Sequence, residues 1–350
     1  MPKLCFVFNG FFYGGAERQL IYICNGLAER GLDVTILCLK RGEAYKDLLS
    51  SNVKVVEPHY NYSFIKTLRY FSDIIKKENP EMVISFLFQA TLISRIFKLF
   101  YRYRHITSYR NTTYGSFLRD KLMLCTSFLD NYTTGNSNNA RIKLTFRSRW
   151  DKFVSIPNIS KVAYARSSDE IERSDFYFIG RLEKQKNVIN LIYAFDNFKK
   201  ANPSDKKLFI IGDGSLRGEL EKLSEDLDSC DNIIFLGIKK DINEYLVKAE
   251  AIILPSLWEG MPNVLIEAML LKTPVIATPV GSIPEMVDHL QSGIIINSTS
   301  KDEICRSLEY FLNLDKESKI KIAENAYESA KEKYSKESVI NQWLALIAKS

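Results

Sequence analysis

No apolar run in the sequence approaches the roughly 20 residues that a helix needs to cross a bilayer. The most apolar stretches, Cys5 to Phe12 and Ile252 to Leu257, are only strand-length, so no helical membrane span is expected. Cysteine is sparse: Cys5, Cys24, Cys38, Cys125, Cys230 and Cys305 lie far apart, with no CxxC pair and no histidine at metal-ligand spacing. This excludes a disulfide framework and the common zinc spacings, and it leaves buried reduced thiols packed as small hydrophobes. Histidine is scarcer still, with only His59, His105 and His289; a lone histidine is usually structural. The dinucleotide fingerprint G-x-G-x-x-G is absent. The amino-terminal run MPKLCFVFNGFF carries one lysine and leads into a Gly-Gly turn without a small-residue cleavage site, so it reads as a first β-strand. With reduced thiols, that points to the cytoplasm.

What is present is ordinary globular material, with 46% apolar and 26% charged residues. At 350 residues the chain exceeds what one core usually organises, so two domains are expected. The net charge of +6 conceals an asymmetry: residues 1–165 hold 24 Lys and Arg against 12 Asp and Glu, a net of +12, which leaves −6 for the remainder. The excess concentrates between Arg95 and Lys152, where 12 basic residues face Asp120, Asp130 and Asp151, interleaved with Phe97, Phe100, Tyr101, Tyr103, Tyr109, Tyr114, Phe117, Phe128, Tyr132, Phe146 and Trp150. Such a segment suits an anionic membrane surface or a diphosphate-bearing acceptor, or else it is a solvated face over core aromatics. No nucleic-acid recognition motif accompanies it, so nucleic acid is not an expected partner.

Short β-type runs alternate with amphipathic helical runs, the pattern of parallel sheets covered by helices on both faces. The alternation occurs twice. Strands are expected at Leu4 to Phe8, Val34 to Leu39, Val53 to Val56 and Met82 to Phe86, and again at Asp175 to Gly180, Lys207 to Gly212, Asn232 to Leu236, Ala251 to Leu254, Pro274 to Thr278 and Gly293 to Ile296. The polar stretch from Pro157 to Ser174 separates the two series. Beyond Lys301 the pattern is helical throughout. Ligands of open α/β sheets bind beyond the carboxyl ends of the strands, so a cleft between two such domains is the natural site.

Three segments carry chemistry. In NGFFYGGAER, Gly14 and Gly15 join a strand to a helix whose first N–H groups suit an anion, although a Gly-Gly turn is as readily a structural device. In FIGRLEKQKN, Arg181 and Lys186 follow a strand end and can neutralise a diphosphate, against the plain reading of surface cations at a turn. In LPSLWEGMPNVLIEAMLLKTPVIATPVGSIP, Glu259 stands in a loop, Pro262 suits the first helical position, and Glu267 falls on the second turn. Backbone N–H groups there can hold phosphate while carboxylates accept from sugar hydroxyls. The bland alternative is helix-dipole compensation. Gly281 and Glu285 follow in a second loop.

Together these segments resemble the retaining glycosyltransferases of family 4, in the spacing Glu259 to Glu267 within EGMPNVLIEAM, the GRL loop with its following lysine, IGDGSLRGEL at Ile211 to Leu220, and IPN at Ile156 to Asn158. The resemblance implies a GT-B fold: α/β, with two Rossmann-like doubly wound domains facing each other across a cleft. It implies domains over 1–160 and 161–333, with 334–350 a helix returning to the first. It implies that Gly15 lies against the donor diphosphate, that Arg181 and Lys186 hold it, and that Glu259 accepts from sugar hydroxyls. Gly260, Met261 and Asn263 would supply backbone contacts, the N–H of Val264 would reach phosphate, and Glu267 would bind the ribose. A nucleotide-sugar donor, a UDP-hexose or UDP-N-acetylhexosamine, and a lipid-diphosphate-linked acceptor are implied, as in O-antigen, capsule or lipopolysaccharide assembly at the inner face of the plasma membrane. No metal or other cofactor is expected; Asp226 and Asp228 form a D-x-D in an acidic helical stretch. Many relatives place a histidine after the fourth strand, where this chain has Gln89 in ISFLFQATLIS. Gln89, His105, Arg110 and Asn111 are the candidates for the acceptor and sugar side. A nucleotide-sugar epimerase of similar build and an inactive sugar-nucleotide or membrane-binding module are the competing readings.

Overall fold

A computed structural model of the chain describes residues 2–12, 14–110, 116–138, 147–160 and 173–350. Two compact units result, Met1–Ile159 with Lys336–Ser350, and Ser160–Ser335.

In the first unit the described elements are β1 (Lys3–Phe8), α1 (Gly15–Glu29), β2 (Asp33–Cys38), β3 (Lys54–Val56), α2 (Phe64–Glu78), β4 (Met82–Phe86), α3 (Phe88–Phe97), β5 (Arg104–Tyr109), α4 (Phe117–Cys125), β6 (Tyr132–Gly135) and β7 (Phe153–Ser155). The strands pair in parallel in the order β3-β2-β1-β4-β5-β6-β7. Strand alternation sends Leu4, Phe6 and Phe8 to one face and Cys5 and Val7 to the other, and each face has its own core. Helices on both sides explain why the central strands read as continuous apolar runs.

The second unit continues with β8 (Ser174–Ile179), α5 (Val188–Ala201), β9 (Leu208–Ile211), α6 (Arg217–Glu225), β10 (Ile233–Gly237), α7 (Asn243–Lys248), β11 (Ala249–Leu254), α8 (Asn263–Leu270), β12 (Val275–Ala277), α9 (Ile283–Met286), β13 (Ile294–Ile295), α10 (Lys301–Asn313) and α11 (Lys316–Tyr334). Its six strands are parallel, in the order β10-β9-β8-β11-β12-β13. The final helix, α12 (Lys336–Lys349), belongs to the first unit, where Val339, Ile340, Trp343, Leu346 and Ile347 enter the core beneath β1 and α1. Lys336 and Glu29 form an ion pair on the same contact.

The segment from Arg95 to Lys152 departs from the expectation of a basic aromatic face. It contains two strands, β5 and β6, and part of its charge and ring surface is interior. Arg95 is fully buried, with Nε 2.9 Å from Asp130 Oδ1 and Nη2 2.6 Å from Asp130 Oδ2. Tyr103 and Tyr109 are core residues, whereas Phe100, Phe117 and Phe128 are exposed. The strands escaped a hydrophobic reading because RHITSY and YTTG bury polar side chains, of which His105, Thr107 and Thr133 bond to Arg95 or Asp130. Four cysteines are buried as expected, but Cys125 and Cys230 are exposed.

Each sheet reverses direction once. The chain runs outward from β1 through β2 to β3 and then resumes at β4 on the other side of β1; β8 and β11 stand in the same relation. Loops diverge at that point and leave a crevice beyond the carboxyl ends of the strands.

Candidate active site

At the β8 and β11 reversal of the second unit, two loops meet. The loop after β8 carries Arg181, exposed, and then a 3-10 turn, Lys184–Lys186, that ends at Asn187 in the left-handed region, φ 57°. Asparagine tolerates that conformation because its short amide bonds locally. Here Asn187 Nδ2 donates to Pro255 O at 3.1 Å and to Thr299 O at 2.8 Å. The loop after β11 is tied to the first by Leu257 N to Gln185 O at 2.8 Å and by Gln185 Nε2 to Trp258 O at 2.8 Å.

These ties bring Lys186 Nζ to 2.5 Å from Glu259 Oε1. Ser256 Oγ donates to the same oxygen at 2.7 Å, and Thr278 Oγ1 donates to Ser256 O at 2.6 Å, so the carboxylate is held from two sides. Both partners of the ion pair are largely buried, which strengthens their attraction relative to a surface pair. The backbone behind Glu259 is fixed by Gly281, φ 62°: a Cβ there would lie 2.3 Å from Glu259 O. Ser282 N donates to Gly260 O at 3.0 Å, which locks the two loops together. On the other side of β8, Gly212, φ 138°, leaves no room for a Cβ, which would lie 1.9 Å from Gly180 O.

Met261 and Val264 pack on the core of this unit. Pro262 is the N-cap of α8, one residue before the position expected for it, and Asn263 opens the helix. Glu267 sits on the second turn, half-buried. Arg181, Lys186, Glu259, Gly260, Met261, Asn263, Val264 and Glu267 therefore all belong to the carboxyl edge of one sheet. The arrangement presents two cations, two carboxylates and a helix N-terminus, a set able to bind an anion and hydroxyl groups side by side. Ser256 and Asn187 were not singled out from the sequence. The signal was there for Asn187, an asparagine closing a turn directly before a helical run.

In the first unit, Gly15 is the first residue of α1, with Gly14 as an extended N-cap, and Gln89 is on the first turn of α3, half-buried. His105 does not line an open site. It is completely buried on β5, with Nδ1 2.8 Å from Asp130 Oδ1 and Nε2 2.9 Å from Ser85 Oγ, because its side of the strand faces the Arg95 network. Burial pushes its ring toward the neutral form despite the carboxylate. Arg110, just past β5, is also buried. Asn111 lies outside the described residues. The D-x-D is not a cluster, since Asp228 pairs with Lys200 at 3.1 Å on the surface.

Residues 13–155 match the family Glycosyltransferase Family 4, and residues 165–329 match Glycosyl transferases group 1. An uncharacterized glycosyltransferase of Methanocaldococcus jannaschii is 28% identical over 247 residues, a match that covers 65% of this chain and 60% of that protein. A GalNAc-alpha-(1->4)-GalNAc-alpha-(1->3)-diNAcBac-PP-undecaprenol alpha-1,4-N-acetyl-D-galactosaminyltransferase of Campylobacter jejuni is 25% identical over 363 residues, 99% of each chain. The solved structure of Anabaena HepE in complex with UDP-glucose matches with a TM-score of 0.85 at 18% identity, covering 100% of both chains. No helix among the described residues is long and apolar enough to cross a membrane. With both halves matched to glycosyltransferase families and two parallel α/β sheets, the chain belongs to family 4 of the glycosyltransferases and has their GT-B fold.

Proposed function

We propose that the chain is a retaining hexosyltransferase that moves a hexose or N-acetylhexosamine from a UDP-sugar to a lipid-linked glycan in surface polysaccharide assembly. The observation that carries this reading is the Lys186 and Glu259 pair at the β8 and β11 reversal, with Arg181 and the α8 N-terminus beside it. In it Lys186 and Arg181 neutralise the departing diphosphate, and Glu259 accepts from sugar hydroxyls. Gly260, Met261 and Asn263 contribute backbone contacts, the Val264 N–H reaches phosphate, and Glu267 takes the ribose hydroxyls. Gly15 opens a helix suited to an anion, and Gln89 serves a sugar hydroxyl. The bond from the sugar anomeric carbon to the diphosphate breaks, the acceptor oxygen bonds to that carbon on the same face, and the acceptor proton passes to the leaving phosphate. No metal is assigned a part.

The acceptor class is taken from the Campylobacter relative, whose name specifies a diphosphate-linked undecaprenol glycan. An anionic membrane surface at the cytoplasmic face is proposed as a second partner, through α4. This helix turns its apolar residues outward: Phe117 is 82% exposed and Leu118 75% exposed, and Leu122 lies beside them, interspersed with exposed Arg119 and Lys121. A stripe of that composition suits a headgroup layer.

The test is a thermal-shift and transfer screen against UDP-, GDP- and ADP-sugars, since a ligand specific to the folded state raises apparent stability. A shift with UDP-sugars alone, and an α-linked product from an α-linked donor by NMR, is expected. An inverted product, or no shift with any nucleotide sugar, sinks the reading. Pelleting with phosphatidylglycerol vesicles but not with neutral ones, lost in Phe117→Ser with Leu118→Ser, tests the membrane surface.

A further inference from the structure

Among the described residues, two arginines are buried in the first unit, and they differ in one respect. Arg95 uses Nε and Nη2, the coplanar side-on pair of its guanidinium, to hold both oxygens of Asp130, and its Nη1 donates to Met123 O at 2.6 Å and Thr126 Oγ1 at 2.7 Å. Arg110 is 7% exposed and, among the described residues, has one hydrogen bond, from Nη1 to Asn158 Oδ1 at 3.1 Å. Its Nε and Nη2 are buried with no hydrogen-bond partner, and no carboxylate among the described residues pairs with it. The guanidinium lies over the rings of Phe86, at 5.3 Å, and Trp343, at 5.9 Å.

Aromatic faces offset part of the cost of burying a cation. Desolvation costs more than that, and unmade bonds at two donors add to it. Burial alone pulls the Arg110 guanidinium down to about 10. Folding gains nothing from such a residue: a methionine or leucine of similar volume would pack on Phe86 and Trp343 without the penalty. Its place is also telling. Arg110 directly follows β5, whose neighbour β4 ends at Phe86, so the side chain sits at the carboxyl edge of the sheet, where open α/β sheets take their ligands.

We propose that Arg110 is an oxyanion-binding residue: its Nε and Nη2 receive two oxygens of a phosphate or carboxylate group carried by a ligand of the first unit. The geometry is the one Arg95 already makes with Asp130 in the same unit, and side-on bidentate pairing is the preferred arrangement of guanidinium with planar or tetrahedral oxyanions. This rests on the transferase reading for its substrates and adds a chemical requirement to them. The oxyanion is either a nucleotide phosphate or a charged group of the acceptor, a phosphate diester or an acidic sugar.

The experiment is isothermal titration of the full chain with UDP, inorganic pyrophosphate and glucuronate, in wild type, Arg110→Met and Arg110→Lys. At least one probe is expected to bind the wild type and to bind Arg110→Met about ten- to a hundredfold more weakly. Arg110→Lys, which keeps charge without the fork, should be intermediate. Weakening of UDP identifies the donor; weakening of pyrophosphate or glucuronate with UDP unchanged identifies an acceptor group. Arg110→Met is also expected to melt at or above the wild-type temperature without ligand, which separates a binding role from a structural one. The proposal is overturned if no probe binds the wild type, if every probe binds the variants equally, or if Arg110→Met unfolds well below the wild type. Failure of UDP to bind, with pyrophosphate still bound through Arg110, would instead count against the transferase reading alone.

Discussion

Lys186 and Glu259 are 73 residues apart in sequence, yet their Nζ and Oε1 atoms stand 2.5 Å apart. They meet because β8 and β11 are adjacent and parallel, with Ala251 opposite Phe176 and Ile252 opposite Tyr177, so that both strands deliver their following loops to one edge.

A pair held this way should show strong coupling. Lys186→Ala leaves a largely buried carboxylate with Ser256 as its remaining donor and should cost about 3 kcal/mol or more, as should Glu259→Ala. The double variant should cost clearly less than the sum, with a coupling energy of about 1 to 3 kcal/mol. Urea denaturation of the four proteins measures this, and additive losses would show that the pair is not an energetic unit. Transfer should fall at least about a hundredfold in each single variant.

Gly281→Ala combines an adverse backbone conformation with a collision against Glu259 O. Relief requires the Glu259 loop to move, so stability should drop by more than about 1 kcal/mol and donor affinity should fall with it. Gly218→Ala is the control, because a Cβ there meets nothing within 4 Å and helix propensity favours alanine. Equal effects from the two substitutions would refute the steric account.

The His105 and Asp130 contact makes a statement about pH. Burial lowers the affinity of His105 for a proton below that of an ordinary histidine at 6.5, so the unfolded chain binds more protons as pH falls through that value. Its contribution is fully present above pH 6.5 and is lost on acidification. Burial would raise the Asp130 carboxyl, but Arg95 and His105 outweigh it and hold it down at about 2 from 3.8, so its contribution persists until pH falls through that lower window. Stability should therefore decline below pH 6.5 with a slope of up to about 1.4 kcal/mol per pH unit from His105. His105→Gln should remove that slope between pH 5 and 6.5 while leaving the loss below pH 4; an unchanged upper slope would assign it elsewhere.

Trp343 packs on Phe6 with ring centroids 6.4 Å apart and is fully buried. Trp343→Ala should cost about 3 to 5 kcal/mol. Amide exchange should quicken in β1, α1 and α12, with the strands of the second unit little affected. Uniform quickening across both units would contradict the assignment of α12 to the first.

Reading the linear chain works where side chains report burial directly. The apolar runs of β1, β2, β4, β8, β9 and β11 announce two parallel sheets because helices cover both faces. It fails for β5 and β6, where Arg104–Tyr109 and Tyr132–Gly135 bury histidine, threonine and serine. Of these, His105, Thr107 and Thr133 bond to Arg95 or Asp130, which pair across 35 residues, and a pairing of that separation leaves no local trace.

The same division holds at the site. Glu259, Glu267, Arg181 and Lys186 are legible in order and spacing, since a strand, a loop and a helix N-terminus are local structures with local signatures. Which cation faces which carboxylate is a matter of strand order. So is the contrast between the two buried arginines: nothing near Arg95 or Arg110 in the chain distinguishes one with a complete set of partners from one with an unpaired fork. Local sequence sets conformation and periodicity over a few residues. Burial and electrostatic pairing depend on distances between segments, and those exist only once the sheets have formed.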